Sequence, residues 1–306
     1  MNQIIALTKR NIKLFFKDKG LFFTALITPM ILLVLYSTFL GNIYKDSTRL
    51  IIDEINSSLP DKIEISDALL NGFVGGQLIS SILAVSCVTV AISCNMIMVQ
   101  DKATGVHKDL MISPLKPSYL AISYYIATLA STLLICFTAL AVSFIYLAFV
   151  GFYMTALDVV LIICDVLILV MFGTALSSLI NFFLSTQGQI SAVGSIISST
   201  YGFICGAYMP ISQFSDGLRN IVCVLPGTYG TSLLRHHALR GVTEKMTEAG
   251  LPEVALRSIR DSVDYHIYLG NSEIPGYVKY IALIGTMLLL LGIYIALNII
   301  KNKKRK

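Results

Sequence analysis

The stretch LLNGFVGGQLISSILAVSCVTVAISCNMIMV, Leu69 to Val99, runs for 31 residues without a charged side chain. A hydrocarbon core of about 30 Å takes roughly 20 helical residues, so this stretch reads as a membrane-spanning helix. Four more uncharged runs surround it: Gly20 to Tyr44 (25 residues), Ser118 to Leu157 (40), Val166 to Ser215 (50) and Tyr280 to Ile300 (21). Composition agrees, with 55% hydrophobic residues, only 13% charged and a mean hydropathy of +0.76. Soluble domains carry roughly 25% charge. Most of this surface therefore faces lipid, and the expected fold is an all-α polytopic membrane protein whose residues 1–306 form one transmembrane domain.

The runs from Gly20, Leu69 and Tyr280 supply one span each. In the 40-residue run a helix is expected near Tyr119 to Leu147, followed by a turn at Gly151–Tyr153. The next helix starts around Leu157 and passes Asp158 and Asp165 before Asn181. Ser185-Thr-Gln-Gly-Gln189 divides the longest run, because glycine and clustered amides favour a turn. A further helix then runs from about Gln189 to Met209 and stops at Pro210, which makes six spans.

An even number of spans puts both termini on one side. Bases cluster at both, with Lys9, Arg10, Lys13, Lys17 and Lys19 at the start and Lys301, Lys303, Lys304, Arg305 and Lys306 at the end. The expectation is a plasma (inner) membrane protein with both termini cytoplasmic. Lys45 to Asp67 carries three bases and six acids and reads as an outer loop. Residues 210–276 are outer by parity although their charge is balanced, since long loops escape the charge rule. Ile221 to Leu239, interrupted by Pro226-Gly227, suits a re-entrant hairpin, and 241–276 a small external segment. Residues 2–19 form a basic amphipathic helix whose Lys9, Arg10, Lys13 and Lys17 share one arc, the pattern of a helix lying in the headgroup plane.

No catalytic or metal constellation emerges. The chain has no Gly-Lys pair, so it carries no phosphate loop ending in Gly-Lys-Ser/Thr. His107, His236, His237 and His266 show no metal spacing, and His236-His237 read as surface positions. The six cysteines lie inside apolar stretches and read as packing residues. The positive charge sits at the membrane edges, which points to lipid headgroups and away from nucleic acid.

The most informative polar segment is 100–117, Gln-Asp-Lys-Ala-Thr-Gly-Val-His-Lys-Asp-Leu-Met-Ile-Ser-Pro-Leu-Lys-Pro. It continues the second span, breaks at Gly105, predicts a short helix over Val106 to Ile112 and stops at Ser113-Pro114. A short helix held across the ends of two spans can pass force from a soluble partner to both. On its own, the segment also reads as a solvated turn.

The segment resembles the coupling helix of type-2 ATP-binding cassette (ABC) transporter permeases. Asp101-Lys102 match the family's charged pair, Gly105 its glycine, Leu110-Met111 its apolar turn and Ser113-Pro114-Leu115 its terminator; Val106 stands where threonine is usual. Leu225-Pro226-Gly227-Thr-Tyr229 followed by Arg235 resembles the re-entrant segment before the family's last span; Arg235 itself reads as a cap or anchor of the hairpin, or as a group that binds a substrate headgroup. The resemblance implies a half-transporter that contacts ABC ATPase subunits through Asp101, Lys102, Gly105, Val106, His107, Lys108, Leu110, Met111, Ser113 and Pro114. It implies pairing with a second permease copy or a paralogous permease, with ATP and Mg bound by the partner ATPase and no cofactor in this chain. Its expected activity is export of an amphipathic or hydrophobic substrate such as a drug, peptide or lipid, or of a lipid-linked polysaccharide.

Two features stand outside that resemblance. Asp165 is an intramembrane carboxylate, by default a functional candidate. It either faces a bundle interior or lies close enough to the surface to be wetted, and a proton-coupled secondary transporter would use it as its proton site. Gly202-Phe-Ile-Cys-Gly206 and Gly72-Phe-Val-Gly-Gly76 have the spacing that lets helices approach closely, within one chain or between two.

Overall fold

A computed structural model describes residues 2–57, 65–113, 115–270 and 272–303. Helix α1 (Asn2–Lys17) buries Leu7, Asn11 and Phe15, one residue per turn, against α7, and leaves Lys9, Lys13 and Lys17 exposed. Asp18 ends it and caps α2 (Lys19–Leu35) by accepting from the Leu21 amide at 3.1 Å.

A π-helical turn (Tyr36–Leu40) joins α2 to α3 (Gly41–Ser57) without a break. The apolar rod Lys19–Glu54 has 36 residues, about 54 Å at 1.5 Å per residue. It outruns the bilayer, so the segment from Lys45, expected as a loop, is helical as far as Ser57. Its amphipathic face explains this, because Ile52 is buried while Asp46, Arg49 and Asp53 stay exposed.

The central element is α4 (Asp67–Cys94), contacted by α2, α7, α8, α9 and α11. It bends at Asn95 into α5 (Met96–Ala103), and Gly105 in a left-handed conformation (φ +89°) turns the chain into α6 (Val106–Ile112). Then α7 (Pro117–Val150) and α8 (Ala156–Phe183) run antiparallel across the turn at Gly151. Thr155 and Asp158 form a capping box at the start of α8. Thr186 and Gln189 repeat that device at the start of α9 (Gln187–Ile204).

Where one hairpin was expected, α10 (Asp216–Val222) turns at Cys223–Leu225 into α11 (Pro226–Glu248). Proline at the first helical position starts α11. The helix runs unbroken through Gly241, so the expected division between hairpin and external segment falls inside one helix. After it come α12 (Glu253–Ser262), the strand pair β1 (Tyr268–Leu269) and β2 (Ser272–Glu273), and α13 (Gly276–Lys303).

Among the described residues, five helical stretches are long and apolar enough to cross a bilayer: Lys19–Glu54, Asp67–Ala103, Pro117–Val150, Ala156–Phe183 and Gly276–Lys301. The chain is an all-α polytopic membrane protein. The sixth expected crossing corresponds to α9, which is shorter and richer in serine and ends at Ile204 rather than Met209. A second apolar core, containing Ile52, Phe73, Val242, Met246, Leu256 and Ile259, joins the ends of α3, α4 and α11 to α12. These elements form a head at the opposite end of α4 from α5 and α6.

Candidate functional site

At the α5–α6 corner the charged pair is used inside the chain. Asp101 is buried and accepts a two-pronged bond from Arg10, Nη1 to Oδ2 at 2.7 Å and Nη2 to Oδ1 at 2.9 Å. The Tyr124 hydroxyl donates to the same carboxylate at 2.6 Å. This bonding holds the Arg10 guanidinium above its ordinary value. Arg10, expected among the headgroups with Lys9, Lys13 and Lys17, is instead turned away from them to fasten α1 to α5, because a planar fork meeting a shielded carboxylate forms a stronger bond than one in water.

Lys102 Nζ donates to the carbonyls of Asn181, Phe182 and Leu184 at 2.7, 2.8 and 3.0 Å. Carbonyls at the end of α8 run short of amide partners, although the Asn181 oxygen also accepts from the Leu184 amide at 3.3 Å, and a cation there meets the negative end of the helix dipole. Asp101 and Lys102 therefore brace α1, α7 and α8 rather than presenting charge outward. The exposed charges of the corner are Lys108 and Asp109 on α6.

The seven residues of α6 include none that is fully buried. Leu110, Met111 and Leu115 pack against the main core, His107 and Val106 are half-buried, and Ile112 is 85% exposed. Ser113 caps the helix with its hydroxyl on the Leu110 carbonyl at 3.1 Å. Pro114 lies outside the described residues.

Sequence reading missed a polar knot at the α4–α5 bend. Asn95 donates to Ser177 and Ser178 (3.2 and 3.1 Å), accepts from Thr128 (3.2 Å), and its carbonyl accepts from Asn181 (3.3 Å). The only clue in the sequence is the clustering of small hydroxyls and amides at matching depths of three apolar runs.

The head carries the other buried charges. Arg235 is fully buried midway along α11. It donates to Asp264 at 3.2 Å, to the Gly206 carbonyl at 2.6 Å and to Ser81 at 3.1 Å. Asp264 also accepts from the amides of Ile211 (2.6 Å) and Ser212 (3.2 Å). Burial pushes the Asp264 carboxyl up, against the opposing pull of Arg235 and the two amides. Arg235 thus ties α11 to α4 and to the bend after α9, inaccessible to any headgroup. Of the other residues expected in the hairpin, Pro226 starts α11, Gly227 lies under the Tyr201 ring and Tyr229 joins a small core with Ile211 and Ile274.

Asp165 faces the interior, not the surface. Its Oδ2 lies 2.6 Å from His237 Nδ1, and Tyr280 donates to Oδ1 at 2.6 Å, which joins α8, α11 and α13. His237, expected at the surface, is buried as that partner, and His236 is half-buried. The six cysteines are free thiols; five are buried and Cys164 is exposed on α8.

The glycine pairs resolve differently. Gly76 admits α11, because a Cβ there would meet the Ala238 carbonyl at 2.9 Å, and Gly72 makes room for the Tyr153 ring. Both serve packing within the chain. Gly202 and Gly206 do not line a helix seam. Gly206 is the left-handed residue (φ +72°) of a Schellman cap, with Ala207 N to Gly202 O at 2.8 Å and Gly206 N to Phe203 O at 3.1 Å, and Tyr208 folds back over Gly202.

Residues 2–238, from the first helix to the middle of α11, match the family described as ABC-2 type transporter. The chain belongs to that family. No curated protein matches it. As an ABC-2 permease, the chain is a transmembrane subunit of an ABC transporter, and the family implies an ABC ATPase as partner. Both the braced corner and the first half of α11 lie inside the matched residues.

Proposed function

We propose that this permease is the exporting half of an ABC transporter, moving an amphipathic or hydrophobic molecule outward while a separate ATPase subunit binds Mg and hydrolyses ATP. The observation that carries this reading is the construction of the α5–α6 corner. The outward side of α6 offers Lys108, Asp109 and Ile112, while Asp101 and Lys102 behind it bond to α1, α7 and α8. A soluble subunit gripping α6 therefore displaces three helices at once, since charge-assisted bonds are short and directional. On this reading the corner and both termini are cytoplasmic and the head is external, in the plasma membrane.

Pairing with a second copy or a paralogous permease is supported by α9. Ser191, Ser195 and Ser199 lie exposed along one side of it, and two of the hydroxyls turn back on their own helix, Ser195 on the Ser191 carbonyl at 2.8 Å and Ser199 on the Ser195 carbonyl at 2.9 Å. Small polar residues suit a helix interface or a wet path better than lipid.

The test is the double reversal Lys108→Glu with Asp109→Lys in the full chain. The expected result is normal membrane insertion, loss of export and loss of co-purifying ATPase. Retained export with an intact ATPase complex would refute the reading.

A further inference from the structure

A cleft of about 450 Å³ opens in the head between α10, the 3-10 turn Ile211–Gln213 and the chain from Asp261 to Gly270. Small-molecule sites have this size. Its walls carry charges of both signs. On one side Asp261, a third exposed, lies 2.6 Å from His266 Nδ1 and accepts from the Tyr268 hydroxyl at 3.1 Å, so a carboxylate sits beside two aromatic rings. On the other, the half-exposed Arg219 pairs with Asp216 at 2.7 Å. An exposed pair of this kind is worth little, which leaves the guanidinium ready to exchange partners. Asp264, at the floor, is neutralised by Arg235.

The outer side of α10 is apolar. Leu218, Ile221 and the following Val224 are exposed, while Val222 packs in a small core that includes Val278 and Ala282 of α13. Those two residues belong to the first turns of a membrane-spanning helix, so α10 lies at the head-side boundary of the bilayer. Apolar residues there fit acyl chains.

We propose that this cleft holds the headgroup of an ethanolamine phospholipid from the head-side leaflet. Arg219 takes the phosphate, for which a planar fork is suited. Asp261 takes the ammonium beside the rings of His266 and Tyr268. Leu218, Ile221 and Val224 meet the acyl chains. A primary ammonium donates hydrogen bonds to a carboxylate, which a trimethylammonium does not. The proposal rests on the membrane placement of α10 and is independent of ATPase coupling.

Native mass spectrometry of the full chain in detergent, mixed with equal amounts of phosphatidylethanolamine, phosphatidylcholine and phosphatidylglycerol, tests it. Phosphatidylethanolamine is expected to be retained over the other two. Arg219→Gln and Asp261→Asn are each expected to weaken that retention roughly tenfold, the scale of one lost charged contact. Arg219 is exposed and, among the described residues, pairs with Asp216 in its own helix turn, so Arg219→Gln carries the test should Asp261→Asn lower the unfolding temperature. Equal retention of phosphatidylglycerol, or unchanged retention by Arg219→Gln, would overturn the proposal. Displacement by an equal concentration of soluble glycerophosphoethanolamine would overturn the lipid assignment in favour of a free zwitterion.

Discussion

The two ends of α4 hold charge in opposite ways. At the α5–α6 end, Asp101 and Lys102 are bonded behind a small helix that itself buries no residue fully. At the head end, Arg235, Asp165 and His237 are buried among packed side chains, and Arg235 also holds Asp264 at the floor of the cleft. The corner is thus a thin exposed piece on strong ties, and the head is a solid block pinned from within. Motion imposed at the corner is transmitted through a few bonds, whereas the head resists through many contacts at once.

The largest expected effect lies at the head. Arg235→Ala leaves Asp264 buried without its counter-charge, and breaking such a pair costs about 3–5 kcal/mol. Thermal unfolding of the detergent-solubilised chain should show a large drop. A drop no greater than that of a surface control would mean that the Arg235–Asp264 pair is not what pins the head. Arg235→Met combined with Asp264→Leu should recover part of the loss, because the desolvation cost of both charges disappears.

At the corner, Asp101→Ala removes the acceptor of both Arg10 and Tyr124. An expected loss of about 1–3 kcal/mol is smaller because Arg10 reaches water. Limited proteolysis should then release α1 while the head stays protected. Simultaneous loosening of both ends would break the contrast.

Gly206→Ala forces a side chain into a left-handed turn and against Ile211, with an expected cost of about 1–2 kcal/mol. The change should appear as faster amide exchange at Ala207 and Tyr208, whose amides bond to Gly202. The smallest stability effect is expected for Lys108→Glu with Asp109→Lys, within about 0.5 kcal/mol, even though export is lost. That dissociation of function from stability is what an exposed piece on strong ties requires.

Much of the scaffold was legible because lipid imposes a simple code. Uncharged runs marked the crossings, and Gly105 and Ser113 bounded α6 at Val106–Ile112 in both sequence and structure. The partners of the charged residues were not legible. Arg10 and Asp101 stand 91 positions apart, and Asp165 and His237 stand 72 apart. Local periodicity says that each is polar and says nothing of which polar group awaits it across the bundle. Gly202-Phe-Ile-Cys-Gly206 misled for a related reason, since the spacing of a helix seam is also that of a helix end. Charge density hid α3, although Ile51 and Ile52 between polar neighbours, with Leu50 alongside, carried an amphipathic signal.

The π turn at Tyr36–Leu40 fixes the phase of everything beyond it. One additional residue in a helical turn rotates the downstream surface by about 100°. With it, Tyr44 points its hydroxyl at the Tyr208 carbonyl, 3.2 Å away, and Ile52 enters the second apolar core. Removing a single residue from that turn would leave the rod intact and aim its outer third at the wrong neighbours.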